Sequence, residues 1–559
     1  MKRILRLFLL TIAVAAGLSG CRQGLDNPKE KQIGEPLVIT AGKQADENYG
    51  RYESGEDVNH NPMIQLGEEQ LGIKIQYTIL GTDYVDYVNR LQLALTDPDS
   101  LPDVIPVYDQ ALLGQMIDSG EVKAIDSDLE KYLPPRLKKI YEAFPETFAP
   151  VKKDGKTYGL AIAPVLGETE VMVIRQDWLD RLGLAAPTNL AEFENVIRAF
   201  SDEDPDGNGI KDTYGFTYSG DGLYSTGWVA DPAMLFSAHT GKFIPGNWEE
   251  DGSGKLRYGS VDPGNKETLT KMAEWHKAGW LAPNAALASD WTAMLAFSNG
   301  EAGIFVGRPS MMAHSIGILN ADGQDRVKAY PTIRQANGEP TYQRAEENDG
   351  WFLFDRNFDR IDRFFEYYDW LYDAAFGTGA FRYGYLENYD YDIVDGQVVF
   401  EKAAYVPSKN DWMFDAGKAG IPKNQPQIDT MRPAYDVYHG KTPETGQELQ
   451  IAAEYQSVRK EQVIAGALAY DHRQELVVNK FRGQLSDELQ SKFEQLQDLE
   501  ATIYTDIIYG NKTPAAFDDF VTAWEKEGGQ AITAAVNEWY QQLAADQLIP
   551  WVGGAAAEK

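Results

Sequence analysis

A single cysteine, Cys21, serves all 559 residues of the chain, and it lies at the head of the polar body. Everything after it therefore lacks the sulfur for a disulfide or a cysteine metal cluster, and its stability must come from apolar burial. One hydrophobic core stops growing near about 250 to 300 residues, so a chain of this length is expected to divide into two lobes. A body that is 43% hydrophobic, 12% aromatic and 25% charged has the material for two such cores.

Lys2, Arg3 and Arg6 precede an uncharged apolar run from Leu7 to Leu18, which is a secretory signal pattern. The run is shorter than the roughly 20 apolar residues that span a bilayer, and it closes on Leu18-Ser19-Gly20-Cys21. That ending resembles a bacterial lipobox. The resemblance implies removal of residues 1–20 as a lipoprotein signal peptide and diacylglyceryl attachment to Cys21. The chain would then be lipid-anchored on the extracytoplasmic face of the membrane. Two acyl chains hold durably, because each buried methylene adds about 0.8 kcal/mol. The alternative is an ordinary cleavage site followed by a buried thiol. Residues 21–35, polar with Pro28 and Gly34, read as a lipidated tether. The net charge of −33 argues against nucleic acid, whose phosphates need a basic surface. By itself that charge selects no ligand.

Beyond the tether, short β-favouring runs at Leu37–Thr40, Gly72–Leu80 and Leu101–Tyr108 alternate with helical spacing such as that of Tyr84–Leu95. That order predicts an α/β lobe with a mainly parallel sheet. Ligands of such sheets gather outside the carboxyl ends of the strands, which singles out Tyr108 and Asp109. The stretch from Lys152 reads as a hairpin returning into a strand, and Glu168 opens a strand that runs into a helix closed by Gly183. Thr188 or Asn189 is the expected cap of the next helix. Later residues are helix-rich, from Asp362, from Gln450 to Tyr509 and from Pro514 to Leu548. The expected division is 36–165 plus about 300–355 for the first lobe, and 166–299 plus about 356–559 for the second.

The most specific chemical motif is DPDGNGIKD, Asp204 to Asp212. Asp204, Asp206, Asn208 and Asp212 supply oxygens at positions 1, 3, 5 and 9 of a loop, and position 7 offers the backbone carbonyl of Ile210. Gly209 falls at position 6, where a calcium loop turns sharply. Position 12 is Gly215, so the bidentate glutamate of an ordinary EF-hand is missing. An Asx-rich turn without metal is the other reading. A structural calcium ion is the expectation.

Val173 to Phe216 as a whole resembles the signature stretch of the lipoprotein-type extracellular solute-binding proteins of carbohydrate ABC importers, family 1. The branch in question contains the LplA-like and alginate-binding proteins. LPDVI from Leu101, DGKTYGLAIAP from Asp154, FSNGEAGIFVG from Phe297, YGYLENYDY from Tyr383 and FVTAWEKEGG from Phe520 fit in order. The resemblance implies an α/β, two-lobed, periplasmic-binding-protein-like fold of type II, with a hinge and a helix-rich C-terminal part. It implies capture of an oligosaccharide and delivery to the transmembrane subunits of an ABC permease, by a monomer. In the alginate-binding members the matching loop binds calcium, which raises Asp204, Asp206, Asn208, Ile210 and Asp212 as ligands. Those members carry another acidic residue after the last aspartate, where this chain has Thr213.

A sugar site stacks aromatic faces on C–H surfaces and hydrogen-bonds hydroxyls with carboxylates, amides and arginine, in a cleft between lobes. The candidates are Trp228, Trp291, Trp351 and Tyr385, with Arg308, Asp109 and Glu387 as companions. Trp178, Trp524 and Trp539 are assigned to packing. A secreted glycoside hydrolase remains a rival reading, since 85 acidic residues permit many carboxylate pairs. HExxH, GxSxG and P-loop patterns are absent, and the six histidines are dispersed. A ligand-presenting sensor for a membrane receptor would use the same cleft.

Overall fold

The computed structural model describes residues 35–44, 56–162, 168–312, 319–320, 323–345, 350–376, 391–394, 397–399, 431–545 and 548–551. Cys21, the leader and tether as far as residue 34, Tyr385 and Glu387 lie outside them. Nine strands form the two principal sheets: β1 (Leu37–Gln44), β2 (Ile73–Gly81), β3 (Val104–Val107), β4 (Gly159–Ala161), β5 (Val171–Arg175), β6 (Tyr214–Phe216), β7 (Ala302–Gly307), β8 (Val327–Tyr330) and β9 (Trp351–Phe354). The first sheet runs β2-β1-β3-β9-β4 and the second β8-β5-β7-β6. In the first, β2 and β3 lie parallel to β1, while β9 is antiparallel to both β3 and β4.

The sheet-forming residues follow from burial. All four residues of β3 are buried, which is why the run is continuously apolar rather than alternating. β5 is buried along its whole length and divides its side chains with period two. Met172 and Ile174 enter one core with Trp178, Phe193 and Phe216, and Val171 and Val173 enter another with Phe297 and Phe305. The five helices that matter below are α1 (Gln110–Ser119), α2 (Leu190–Asp202), α3 (Ile361–Phe376), α4 (Asp487–Ile508) and α5 (Gln530–Ala545). Of the two expected caps, Asn189 fills the position: its side chain accepts from the Glu192 amide at 3.0 Å. Gly183 closes the preceding helix in the left-handed region at φ 66°, a conformation glycine adopts without steric cost.

Sheet membership departs from the expected division. Of 300–355, only β9 joins the first sheet; β7 and β8 flank β5 in the second. Conversely, Phe364, Phe365, Tyr368 and Leu371 of α3 pack into the first core, although that stretch was assigned to the second lobe. The reason is pairing. β5 satisfies its backbone by antiparallel ladders to both β7 and β8, and such partners cannot be read from strand propensity alone.

β4 ends at Ala161, and the Ile162 amide donates to the Gly350 carbonyl at 2.7 Å. The outgoing path to β5 and the returning path into β9 therefore leave the first lobe side by side. A further connection is made by the C-terminus. After α5, Trp551 docks on the first lobe, edge-on to Phe148 with ring centroids 5.8 Å apart.

Candidate functional site

The carboxyl end of β3 lies beside Gly350, where a Cβ would meet the Val107 carbonyl and Tyr108, and so beside the point at which the chain leaves the first lobe. On the first lobe, the extended backbone of Asp109 turns the chain into α1. Its Oδ1 accepts the Leu112 amide at 2.7 Å and its Oδ2 accepts the Tyr84 hydroxyl. Burial, with that bonded carboxylate, raises the Tyr84 hydroxyl above its ordinary range. Both oxygens of Asp109 thus hold the helix start in place. Tyr108 is half-buried, its ring 6.2 Å from Tyr84 and 6.1 Å from Tyr87. Trp351 pairs with Val107 in the sheet, and its indole N–H donates to the Thr147 carbonyl at 3.0 Å.

On the second lobe, the Arg308 amide donates to the Trp228 carbonyl at 2.9 Å, and the Trp228 ring meets Trp291 edge-on at 5.5 Å. Both tryptophans are partly exposed and pack on the core of Val173, Phe297 and Phe305. Beside them Glu170 is 2% exposed, its backbone exchanging hydrogen bonds with the Gln343 side chain. Among the described residues, neither carboxyl oxygen of Glu170 nor the Nε of Arg308 has a hydrogen-bond partner. Desolvation drives the Glu170 carboxyl well above the usual range, with neighbouring Asp231 adding to the rise and Arg308 opposing it. Asp231, fully buried, is pushed up to about 6 by desolvation despite amide hydrogen bonds from Gly227 and Ala233. An arginine with an unfilled donor near a carboxyl with unfilled acceptors is a polar demand that a ligand hydroxyl or water can meet.

Between the lobes lies a cavity of about 1030 Å³. One wall is the face of α1 carrying Gln110, Gly114, Gln115 and Asp118. The other is Asn479–Leu485 together with the first turns of α4. The walls touch where Gln110 Nε2 donates to the Gly483 carbonyl at 2.7 Å. Gly114 permits this approach, since a Cβ there would sit 2.4 Å from Gln484 Nε2. Trp248 and Phe481 supply aromatic surface, with ring centroids 6.2 Å apart. Arg344 lines the cavity, and its backbone and stem back against Gly227, the neighbour of Trp228. The cavity's volume sits at the top of the roughly 300–1,000 Å³ typical of ligand pockets. A second cavity of about 1050 Å³, around Pro187–Ala191 and Tyr330–Thr332, lies wholly on the second lobe and does not join the two halves.

Tyr108, Asp109 and Trp351 lie together at the carboxyl end of β3, and Trp228, Trp291 and Arg308 lie together beside the end of β7; none of the six lines the cavity between the lobes. Asp109 is occupied as a helix cap. The α1 face was missed by sequence reading, although Gln110, Gly114 and Asp118 fall at the i, i+4, i+8 spacing that signals one helical face. Arg344 and Asn479–Gln484 carry no comparable signal. Trp178 and Trp524 are buried in the core as expected for packing residues, and Trp539 meets Phe481 edge-on at 5.2 Å.

The acidic loop after α2 gathers its side chains. Asp204, in the left-handed region at φ 49°, accepts the Gly207 and Gly209 amides. Asn208 Nδ2 lies 2.8 Å from one oxygen of Asp206 and 3.3 and 3.4 Å from the two of Asp212. Its Oδ1 accepts the Ile210 amide at 2.6 Å. Among the described residues no three His, Cys, Asp or Glu side chains gather for a metal; here an amide stands between two carboxylates. Those carboxylates converge on the N–H hydrogens of a neutral amide, and the side chains that would turn to a cation there, Asp204, Asp206, Asp212 and the Asn208 Oδ1, offer oxygens, the donor type a hard cation takes.

Comparison with known proteins agrees with this architecture. A profile described as bacterial extracellular solute-binding protein matches residues 65–342. The polygalacturonan/rhamnogalacturonan-binding protein YtcQ of Bacillus subtilis is 24% identical over 462 residues, 81% of this chain and 83% of that protein. Among solved structures, a human-milk-oligosaccharide (HMO) binding, ABC-transporter-associated solute-binding protein from Bifidobacterium longum infantis superposes with a TM-score of 0.62. It is 15% identical, and the match covers 91% of this chain and 99% of that one. An EF-hand mutant of the Streptococcus pneumoniae ABC-transporter substrate-binding protein FusA, in complex with fructo-nystose, matches with a TM-score of 0.59 and 15% identity, over 91% and 100% of the two chains.

Proposed function

This chain belongs to the bacterial extracellular solute-binding family, and on that premise we propose that it captures an oligosaccharide between its lobes and hands it, unreacted, to an ABC permease. The observation that carries the reading is the cavity itself. It is bounded by α1 on one lobe and by Asn479–Leu485 and α4 on the other, with Arg344 in its lining. YtcQ, FusA and the Bifidobacterium protein, by their names, are carbohydrate binders rather than enzymes.

Capture would use the adjacent exits of the chain at Ile162 and Gly350 as the place about which the lobes turn, each keeping its own core. A ligand that touches both walls has greater affinity for the closed form and shifts the population toward it. Tyr108, Trp351 and Trp228 would present ring faces to sugar C–H surfaces, and Arg308 would donate to hydroxyls. Family membership places the protein outside the cytoplasm. Among the described residues no helix is long and apolar enough to cross a membrane, which fits anchoring through lipid on Cys21. A calcium ion held by Asp204, Asp206, Asn208, Asp212 and the Ile210 carbonyl would tie the end of α2 to β6 and act structurally.

The test is calorimetric titration of the chain lacking residues 1–21 with a panel of oligosaccharides, paired with small-angle scattering and chromatography of the recovered ligand. Saturable binding, a smaller radius of gyration and an unchanged glycan are expected. Accumulating cleavage products would overturn the reading in favour of a hydrolase.

A further inference from the structure

The cleft that captures the guest also states its charge. We infer that the ligand is an uncharged oligosaccharide and that the cleft rejects polyuronates. This rests on the reading of the cavity as the capture site. Among the described residues the cavity presents five carboxylates, Asp118, Asp221, Asp487, Glu494 and Asp498, against one cation, Arg344. Asp118 is the one whose ion pair is evident, to Lys153 at the rim. Arg344 in turn faces the buried Asp231, so part of its field is answered from within the protein.

Amides make up much of the remaining polar surface: Gln110, Gln115, Asn479, Gln484 and Gln490. An amide both donates and accepts, and a carboxylate accepts from two hydroxyls at once. Such a lining matches the donor-and-acceptor hydroxyls of a neutral sugar. A polyuronate adds an anion at every residue, and in a cavity of about 1030 Å³ any wall carboxylate within a Debye length of such an anion, about 8 Å in physiological salt, repels it. Like charges set against an unwanted ligand are a recognised route to specificity. The acidic lining therefore separates this chain from a relative that its name describes as a binder of polygalacturonan.

The experiment compares an oligogalacturonate, its fully methyl-esterified counterpart and a panel of neutral fructo-, xylo-, manno- and arabino-oligosaccharides, all titrated into the chain lacking residues 1–21. At least one neutral glycan is expected to bind at least tenfold more tightly than any uronate. Whatever weak uronate binding exists should strengthen as sodium chloride is raised from 0.05 to 0.5 M. The triple variant Asp118→Asn, Asp487→Asn, Asp498→Asn should gain at least tenfold for oligogalacturonate while its affinity for the neutral ligand changes less. Uronate binding on a par with the best neutral glycan, and weakening with salt, overturns the charge inference and leaves the carbohydrate reading standing. Binding of neither class overturns both. Should the triple variant not fold, the salt series on the unaltered protein decides the matter alone.

Discussion

Gln110, the first residue of α1, donates its side-chain amide across the cleft to the backbone carbonyl of Gly483, 373 residues later, at 2.7 Å. A hydrogen bond of this kind is worth about 1 kcal/mol net, and here it joins the two walls that must separate for a ligand to enter. Gln110→Ala is therefore expected to enlarge the radius of gyration of the unliganded protein. It should also weaken ligand binding by up to about fivefold, the equivalent of that free energy. Scattering curves and binding constants indistinguishable from the parent would show that the contact has no part in closure.

Burial gives the second lobe a pH dependence through Glu500. Its side chain is fully buried, accepts the Tyr258 hydroxyl at 3.1 Å, and is pushed up to about 8 by desolvation, against the lowering effect of its hydrogen bonds. A carboxyl whose folded value is raised holds its proton in the native state after the unfolded chain has released it. Its contribution is complete below about pH 4.5 and declines as pH climbs toward about 8. The slope is at most about 1.4 kcal/mol per pH unit, and the loss is on the order of a few kcal/mol. Glu500→Gln is expected to raise Tm at pH 8 and flatten the profile, with the advantage vanishing near pH 4.5. A parallel, undiminished offset between the two proteins across pH 4.5–8 would refute the assignment.

The loop after α2 supplies a metal prediction. With Asn208 Nδ2 already between Asp206 and Asp212, a calcium ion would replace an amide hydrogen with a stronger charge and stabilise the folded state by linkage. That stabilisation reaches about 2.7 kcal/mol at a hundredfold excess over Kd. Chelation should lower Tm by several degrees, and Asp206→Ala should abolish the difference. Equal melting of the parent protein with and without chelator would exclude a bound cation.

Much of the architecture was legible because local signals and burial agree. The apolar run Val104–Val107 is a strand buried on both faces, and Asn189 carries the side-chain oxygen that caps α2. Sheet membership was not legible. β7 and β8 belong with β5 through antiparallel pairing, a long-range choice that propensity does not encode. Asp109 was found by position, at the end of the third strand, and the structure gives it a capping role there. The opposite wall, Asn479–Leu485, is irregular backbone with no periodicity to betray which side faces the cleft. Nothing in the sequence marks Glu170, and only its 2% exposure reveals a carboxyl held without hydrogen-bond partners among the described residues.

The last prediction concerns the C-terminal strap. α5 is fastened to the second lobe by Asn537, which exchanges hydrogen bonds with the Leu256 backbone at 2.7 and 2.9 Å. A few residues later Trp551 sits on the first lobe, edge-on to Phe148, donating to Glu142 at 3.0 Å and lying 5.8 Å from the Lys138 ammonium. This span bridges the lobes in addition to the chain's earlier crossings, so it limits how far they can swing open. Trp551→Ala removes a partly exposed aromatic contact, which costs less than the roughly 3–5 kcal/mol of a fully buried tryptophan. A modest fall in Tm is expected. The sharper expectation is geometric: the open form should expand and the compaction on ligand binding should grow, while the liganded radius stays unchanged. Because Phe148 is the partner ring, Phe148→Ala should act in the same direction, and the double variant should expand no further than either single one. Full additivity of the two in the scattering data would show that the tryptophan does not restrain the lobes through this contact.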